Sequence, residues 1–244
     1  MEPSVTSKVA IVTGANQGIG AAVAARLSSA GYRLVLNDVK AQDTALGCNI
    51  RNTEMVIGDV ADPTTAEALV DRALSAFGRC DLLVNNAGYL EQAPFGQISI
   101  DDWDRMIGVH LRGTFLCCRA VLPVMVASGR GVVINMASQL GQKGGIDLAH
   151  YVAAKAGVIG LTRALAHEFS SKGIRINAVA PGPIETPLVQ KASEAWRRKK
   201  LNDLPLGRFG EAVEVAETVA FLASDAAALY VGQTLGPNSG DVML

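Results

Sequence analysis

Lys8-Val-Ala-Ile-Val-Thr13-Gly-Ala-Asn-Gln-Gly-Ile-Gly20 begins as an uninterrupted apolar run, breaks into a turn with three glycines and opens a stretch of alanines. The run reads as a strand buried on both faces. Residues 19–30 suit a helix lying close against a sheet, and Gly31 ends it. Gly14, Gly18 and Gly20 fall where strand passes into helix. There, bare backbone can approach a pyrophosphate while the helix N-terminal amides face its charge. The turn residues Gly14, Asn16, Gln17, Gly18, Ile19 and Gly20 are therefore candidate dinucleotide contacts. The spacing is G-x-x-x-G-x-G rather than the commoner G-x-G-x-x-G, so the strand-to-helix context carries the reading.

The same alternation continues downstream. Strand-like runs recur at residues 33–37, 54–58, 81–85, 131–137 and 174–180, and helical patterns occupy 64–77, 101–127, 150–171 and 211–223. Repeated strand–helix units with such apolar strands imply an α/β fold. The expected form is a Rossmann-like, doubly wound parallel sheet flanked by helices on both faces. No linker or low-complexity tract divides the 244 residues, so residues 1–244 form a single domain. Pro181, Pro183, Pro187 and Pro205 bracket a segment that cannot continue the sheet. A loop with a short helix at 188–201 is expected, making about 183–206 a candidate substrate lid, with an ordinary surface excursion as the other reading.

Composition narrows the class. Hydrophobic residues make up 49% and aromatics 5%, as expected of parallel strands under close-packed helices. A formal charge of −1 without a broad basic domain argues against nucleic acid as a partner. The one basic run, Trp196-Arg-Arg-Lys-Lys200, reads as a solvated helix face or as an attractor for an anionic substrate or carrier. The first seven residues lack a secretory signal, and no segment supplies roughly 18 uncharged apolar residues. A cytoplasmic location without membrane insertion is expected. Cys48, Cys80, Cys117 and Cys118 lack metal-ligand spacing and read as reduced packing residues, so no metal is expected.

Tyr151 and Lys155 lie four residues apart, on one face of the predicted helix, which lets the ammonium approach the phenol. Bringing a phenol from ~10 toward neutrality requires on the order of 4 kcal/mol of preference for the charged form. Lys155, aided by the positive ring of an oxidised nicotinamide, is expected to supply it. Ser138 lies thirteen positions before Tyr151, at the C-terminal edge of the strand at 131–137, where open α/β sheets bind ligands. Each residue alone also reads as packing, helix capping or a solvated charge; their conjunction with the glycine turn favours chemistry. Asp38 ends the second strand, placed to accept hydrogen bonds from an adenosine ribose and to repel a 2′-phosphate. NAD is thereby favoured over NADP, with Lys40 as a nearby cation and a turn-forming carboxylate as the alternative reading of Asp38.

At this point the chain closely resembles the short-chain dehydrogenase/reductase family over essentially its whole length. The resemblance rests on residues 13–20, Asp59-Val60, Asn85-Asn-Ala-Gly88, Ser138, Tyr151-x-x-x-Lys155, Pro181-Gly182 and Pro205-Leu-Gly-Arg208. It implies that Asp59 and Val60 border adenine, that Asn86, Ala87 and Gly88 line the cofactor cleft, and that Lys155 also holds the nicotinamide ribose. Pro181, Gly182, Ile184 and Thr186 would meet the nicotinamide. Ser138 would orient the substrate oxygen while Tyr151 exchanges its proton during hydride transfer. Two positions depart from the family pattern. His110 stands where relatives commonly carry an asparagine that supports a proton path to the lysine; it either preserves that path with altered pH behaviour or packs. Asn238-Ser-Gly240 replaces an acidic residue and paired glycines, which makes a different C-terminal loop expected near subunit contacts.

The expected activity is NAD(H)-dependent interconversion of a secondary alcohol and a ketone. Its rivals are an NADP-dependent 3-ketoacyl-carrier reductase and a catalytically inactive nucleotide-sensing module. Residues 89–95, 139–148 and 183–206 are expected around a partly apolar substrate, with Leu140, Ile146, Leu148, Leu188 and Trp196 as apolar candidates. The resemblance further implies a homotetramer built on the helices at 101–127 and 150–171.

Overall fold

The computed structural model describes residues 7–41, 52–186, 189 and 193–244; Cys48, Pro187 and Leu188 lie outside the described residues. Seven parallel strands form the central sheet: β1 (Val9–Thr13), β2 (Arg33–Asp38), β3 (Thr53–Ile57), β4 (Leu82–Asn85), β5 (Gly131–Met136), β6 (Ile174–Val179) and a short β9 (Thr234–Leu235). Their spatial order is β3-β2-β1-β4-β5-β6-β9. The chain winds outward from β1 through β2 to β3, then returns to lay β4 on the other side of β1. Connections therefore diverge above the C-terminal ends of β1 and β4, which opens a crevice there.

Strand β1 shows why the order is stable. Val9 and Ile11 join the core cluster on one face, and Ala10 and Val12 join the cluster on the other, as the two-residue period of a strand requires. On the first face the cover comes from α2 (Pro63–Phe77), α4 (Gly113–Ser128) and α6 (Ala149–Phe169), through residues such as Leu69, Leu116 and Ala166. On the second it comes from α1 (Gly18–Ser29) and α8 (Ala212–Ala223), through Val23, Leu27, Val215 and Val219. Helices thus flank both faces of the sheet.

A polar chain crosses the first face. Asn85 donates to Asn135 at 2.8 Å, and Asn135 donates to Thr162 at 2.9 Å. It ties β4 to β5 and both to α6, the helix that carries Tyr151 and Lys155. Buried amides paired in this way favour one packing, because a slip breaks the chain of hydrogen bonds.

Three departures from the sequence expectation matter. The helix expected at 101–127 divides into α3 (Ile100–Ile107), a π-helical turn (Gly108–Arg112) and α4. Such turns insert an extra residue and shift the side-chain register, here at His110. The whole stretch Ile100–Ser128 is long and apolar enough to cross a membrane, with hydropathy 1.4; half of its most apolar window is packed inside the protein, as in a core helix. The segment after β6 forms a two-residue strand β7 (Ile184–Glu185), paired with β8 (Gly210–Glu211), and α7 (Glu194–Asp203). Helix α7 starts later than expected because Ser193 caps it, accepting from the Trp196 N–H at 3.2 Å. A four-residue helix α5 (Leu140–Lys143) follows β5 and was not expected.

Candidate active site

The glycine turn is held by contacts that leave no space for side chains. A Cβ on Gly20 would lie 2.0 Å from the Gly14 carbonyl oxygen, and one on Gly14, whose φ is 63°, would lie 2.7 Å from Ala87 Cα. Both positions require glycine. Asn86 Nδ2 donates to the carbonyls of Thr13 at 2.9 Å and Gly14 at 3.0 Å, while the Thr13 hydroxyl accepts from the Asn86 and Ala87 amides. The Asn86 side chain thus braces the turn besides bordering the cleft.

Above the sheet lies a cavity of about 490 Å³, bordered by all but one of the candidate catalytic and cofactor-binding residues. Gly14, Gln17, Gly18, Ile19 and Gly20 border it from the turn, Asp38 from the end of β2, and Asp59 and Val60 from beyond β3. Asn86, Ala87 and Gly88 line it after β4; Ser138, Tyr151 and Lys155 line it beside β5 and α6; Pro181, Gly182, Ile184 and Thr186 line it after β6. Asn16 is the exception. Its backbone N–H donates to Asp38 at 3.0 Å and its side chain donates to the Lys40 carbonyl at 3.0 Å, so it joins the turn to β2 instead. A residue at the apex of a turn is free to point away from the cleft, which its position in sequence does not reveal.

The two ends of the cavity differ chemically. Asp38 accepts from the Asn16 and Val39 amides, one on each oxygen, which fixes the carboxylate. Lys40 does not border the cavity. Ser138, Tyr151 and Lys155 gather beyond β5, and β1 and β4 separate β2 from β5. At normal strand spacing that offset is about 14 Å.

Ser138 is buried, and its hydroxyl accepts from the Leu140 amide at 3.1 Å. Lys155 is buried; its Nζ donates to the Met136 carbonyl at 2.5 Å and lies 5.8 Å from the Tyr151 ring centroid. Burial depresses the Lys155 ammonium to about 7. The Tyr151 phenol moves the other way: burial raises it above its ordinary value, opposed by hydrogen bonding with Ser138. In the ligand-free fold Lys155 alone thus does not supply the acidity expected of it together with an oxidised nicotinamide. In a dry site both charged forms lose hydration, and a half-neutralised ammonium engaged with a carbonyl is a weak counter-charge.

His110 is 3% exposed and borders the cavity. Its ring stands edge-on to Tyr151, centroids 5.3 Å apart, and Nε2 lies 2.8 Å from the Tyr89 carbonyl. The Tyr89 N–H lies farther off, at 3.2 Å, so we assign the proton to Nε2. Nδ1 then stays a buried acceptor with no partner among the described residues. Burial first, then the Lys155 ammonium, hold the imidazole well below its ordinary value, against the pull of the Tyr89 carbonyl. The ring is therefore neutral throughout the neutral range and adds no titration there. Gly88 makes room for it, since a Cβ at that position would lie 2.3 Å from His110 Cε1.

On the substrate side, Tyr89 and Leu90 border the cavity, and Leu148 is buried without bordering it. Ile146 is 88% exposed and Trp196 packs on Phe209, centroids 6.1 Å apart, so neither lines the cavity. Sequence reading missed Asn37, Val39, Gly58, Val109, Met136 and Ala137, while Val189 falls in the segment expected around the substrate. Each of the missed residues adjoins a residue or an element end that was recognised.

Residues 14–240 match the family model described as Enoyl-(Acyl carrier protein) reductase. The chain is 42% identical over 245 residues to the cis-4-hydroxycyclohexanecarboxylate dehydrogenase of Sinomonas cyclohexanicum, covering 98% of each chain. It is 37% identical over 243 residues to the 3-oxoacyl-[acyl-carrier-protein] reductase FabG of Staphylococcus aureus, covering 97% of this chain and 99% of the relative. The same identity holds to the FabG of Thermotoga maritima, over 97% and 98% of the two chains. Matched along nearly its full length, and folded around a glycine turn and a Ser–Tyr–Lys group, the chain belongs to the short-chain dehydrogenase/reductase family of nicotinamide-dependent oxidoreductases.

Proposed function

We propose that the protein is an NAD(H)-dependent oxidoreductase that interconverts a secondary alcohol and a ketone. The observation that supports it best is a single cleft bordered on the β5 side by Ser138, Tyr151 and Lys155 and on the β2 side by a fixed Asp38 carboxylate. The residues present fit a dinucleotide. The turn excludes a Cβ at Gly14 and Gly20, which leaves backbone amides to meet a pyrophosphate. Each Asp38 oxygen has a lone pair left for a ribose hydroxyl, and the carboxylate would repel a 2′-phosphate. In this reading Asp59 and Val60 border adenine, and Pro181, Gly182, Ile184 and Thr186 border the nicotinamide.

When bound, the nicotinamide supplies the hydride donor or acceptor. Ser138 orients the substrate oxygen, and Tyr151 takes the alcohol proton or protonates the ketone oxygen. Lys155 is near its midpoint at neutral pH and its Nζ lies 5.8 Å from the Tyr151 ring centroid, which suits it to exchange that proton onward. His110 packs Tyr151 in place, with Nδ1 free to accept from a hydroxyl or water. Retention of all three polar groups speaks against an inactive nucleotide-sensing module. The name of the 42% identical relative supports a ring-borne secondary alcohol as the reacting group.

A second reading, an NADP-dependent 3-ketoacyl-carrier reductase, is supported by the names of the FabG relatives. Absorbance at the reduced-nicotinamide band decides between them. A panel of cyclic and linear hydroxy acids with NAD, and a small 3-ketoacyl thioester with NADH or NADPH, should show the highest kcat/KM for a hydroxy acid with NAD. A preference for the thioester with NADPH would replace our reading with the second one. We further propose a cytoplasmic homotetramer with no nucleic-acid or membrane partner, its contacts formed by α3, α4 and α6; Trp103 and Phe115 are partly exposed there. A monomer in light scattering at micromolar concentration would refute the tetramer.

A further inference from the structure

Behind Ser138, outside the cavity, one carboxylate collects three donors. Asp241 Oδ2 lies 2.7 Å from Lys143 Nζ, 2.5 Å from Lys200 Nζ and 2.5 Å from Gln139 Nε2. Its side chain is 7% exposed, the least of any carboxylate in an ion pair among the described residues. The donors belong to different parts of the chain. Gln139 directly follows Ser138, Lys143 ends α5, Lys200 lies on α7, and Asp241 belongs to the C-terminal tail.

The tail presents this carboxylate because its backbone is pinned. Asn238 accepts from the Gly240 N–H through Oδ1 and donates to the Val242 carbonyl, while its own carbonyl accepts from the Asp241 amide. Ser239, with a φ of 58°, turns the chain between them and accepts from the Leu206 N–H at 3.1 Å. The departure at 238–240 thus builds a turn that aims Asp241 inward. On the other side, the Gln139 amide donates to the Pro181 carbonyl at 3.1 Å, which links the cluster to the chain leaving β6.

We propose that Asp241 is a positioning residue: it holds α7 against the connection that carries Ser138 and thereby sets the substrate side of the site. Two ammonium groups share one carboxylate. Removing the negative charge leaves Lys143 and Lys200 opposed without that counter-ion, with side chains 32% and 17% exposed, so water screens the repulsion only in part. Helix α7 then separates from α5, and Gln139 loses its anchor beside Ser138. The pyrophosphate and adenosine side of the cofactor site, built on β1 to β4, is untouched. The proposal rests on the substrate binding beside Ser138, as in the function proposed above.

The experiment compares the full-length protein with Asp241→Asn, Lys200→Met, the double variant and Lys200→Arg. Asp241→Asn should raise the substrate KM about tenfold with kcat within about twofold and the NADH Kd unchanged. Lys200→Met should show most of that effect, the double variant should be no worse than Asp241→Asn, and Lys200→Arg should restore the wild-type KM. Unchanged KM in both single variants, or losses that add in the double variant, would overturn the proposal. A parallel weakening of NADH binding would mark a general structural defect and overturn it too. Amide hydrogen exchange in residues 194–203 reads the same coupling without turnover. It should accelerate in Asp241→Asn and Lys200→Met, and unchanged exchange there refutes the positioning role even if no substrate in the panel is turned over. Accelerated exchange in a protein that turns over none of them would instead sink the proposed reaction and leave the clasp standing.

Discussion

Replacing Lys155 by methionine tests whether the ligand-free fold carries the cost of a buried amine. Burial takes the group from an ordinary 10.5 to about 7. A base with a depressed folded value is neutral in the fold while the unfolded chain still binds its proton. Its contribution is therefore greatest above the ordinary value and is lost as pH falls through about 7. The whole gap corresponds to about 5 kcal/mol, of which roughly 2–3 kcal/mol separates about pH 6 from about pH 9. Other groups titrate in that window with the opposite sign: buried Cys80 and Cys117 are pushed up to about 12, so unfolding releases their protons as pH rises. The informative quantity is accordingly the difference in unfolding free energy, wild type minus Lys155→Met, from urea titrations across that range. It should rise with pH by the stated amount. A difference that stays flat would refute the assignment of Lys155 as a group near its midpoint at neutral pH, and with it the onward proton exchange proposed for it.

Tyr151→Phe should retain NADH binding and lose roughly 10²–10⁴-fold in kcat, read by steady-state kinetics; near-normal turnover would refute the proton donor. Asp38→Asn should shift the ratio of kcat/KM for NADPH over NADH upward by on the order of 100-fold, since a fixed carboxylate near a 2′-phosphate is the repulsion being removed. His110→Asn should leave the pH dependence of kcat between about pH 6.5 and about pH 8 unchanged, because the imidazole is already neutral there. Below the ordinary imidazole range the wild type should lose stability faster than His110→Asn. The unfolded ring gains a proton there that the folded ring refuses, and acid titrations followed by circular dichroism would show it.

The parallel order of the sheet was legible because β1, β2, β4, β5 and β6 are largely buried and helices follow β1, β3, β4 and β5, a pattern that survives in one dimension. Short pieces were not legible. The two-residue strands β7, β8 and β9 are held by pairing partners far away in sequence, and α5 is a single turn after Ser138. The π turn was hidden as well, because residues 101–127 keep a helical apolar pattern through it. Of the candidate site, the contact residues were legible as motifs. Their directions were not, as Asn16 and Trp196 show.

By itself the sequence determined which chemistry was available: a turn of glycines for a dinucleotide, a carboxylate after the second strand, and a serine, tyrosine and lysine in order. Those are properties of residue type and spacing. Tertiary structure alone decided the environment of each group. Burial raised the phenol, depressed the amine and kept His110 neutral, because hydration is lost only when distant segments close over a site. It also brought Gln139, Lys143, Lys200 and Asp241 to one point. Residues up to 102 positions apart carry no local signal of meeting, and electrostatic coupling depends on distance through space rather than along the chain.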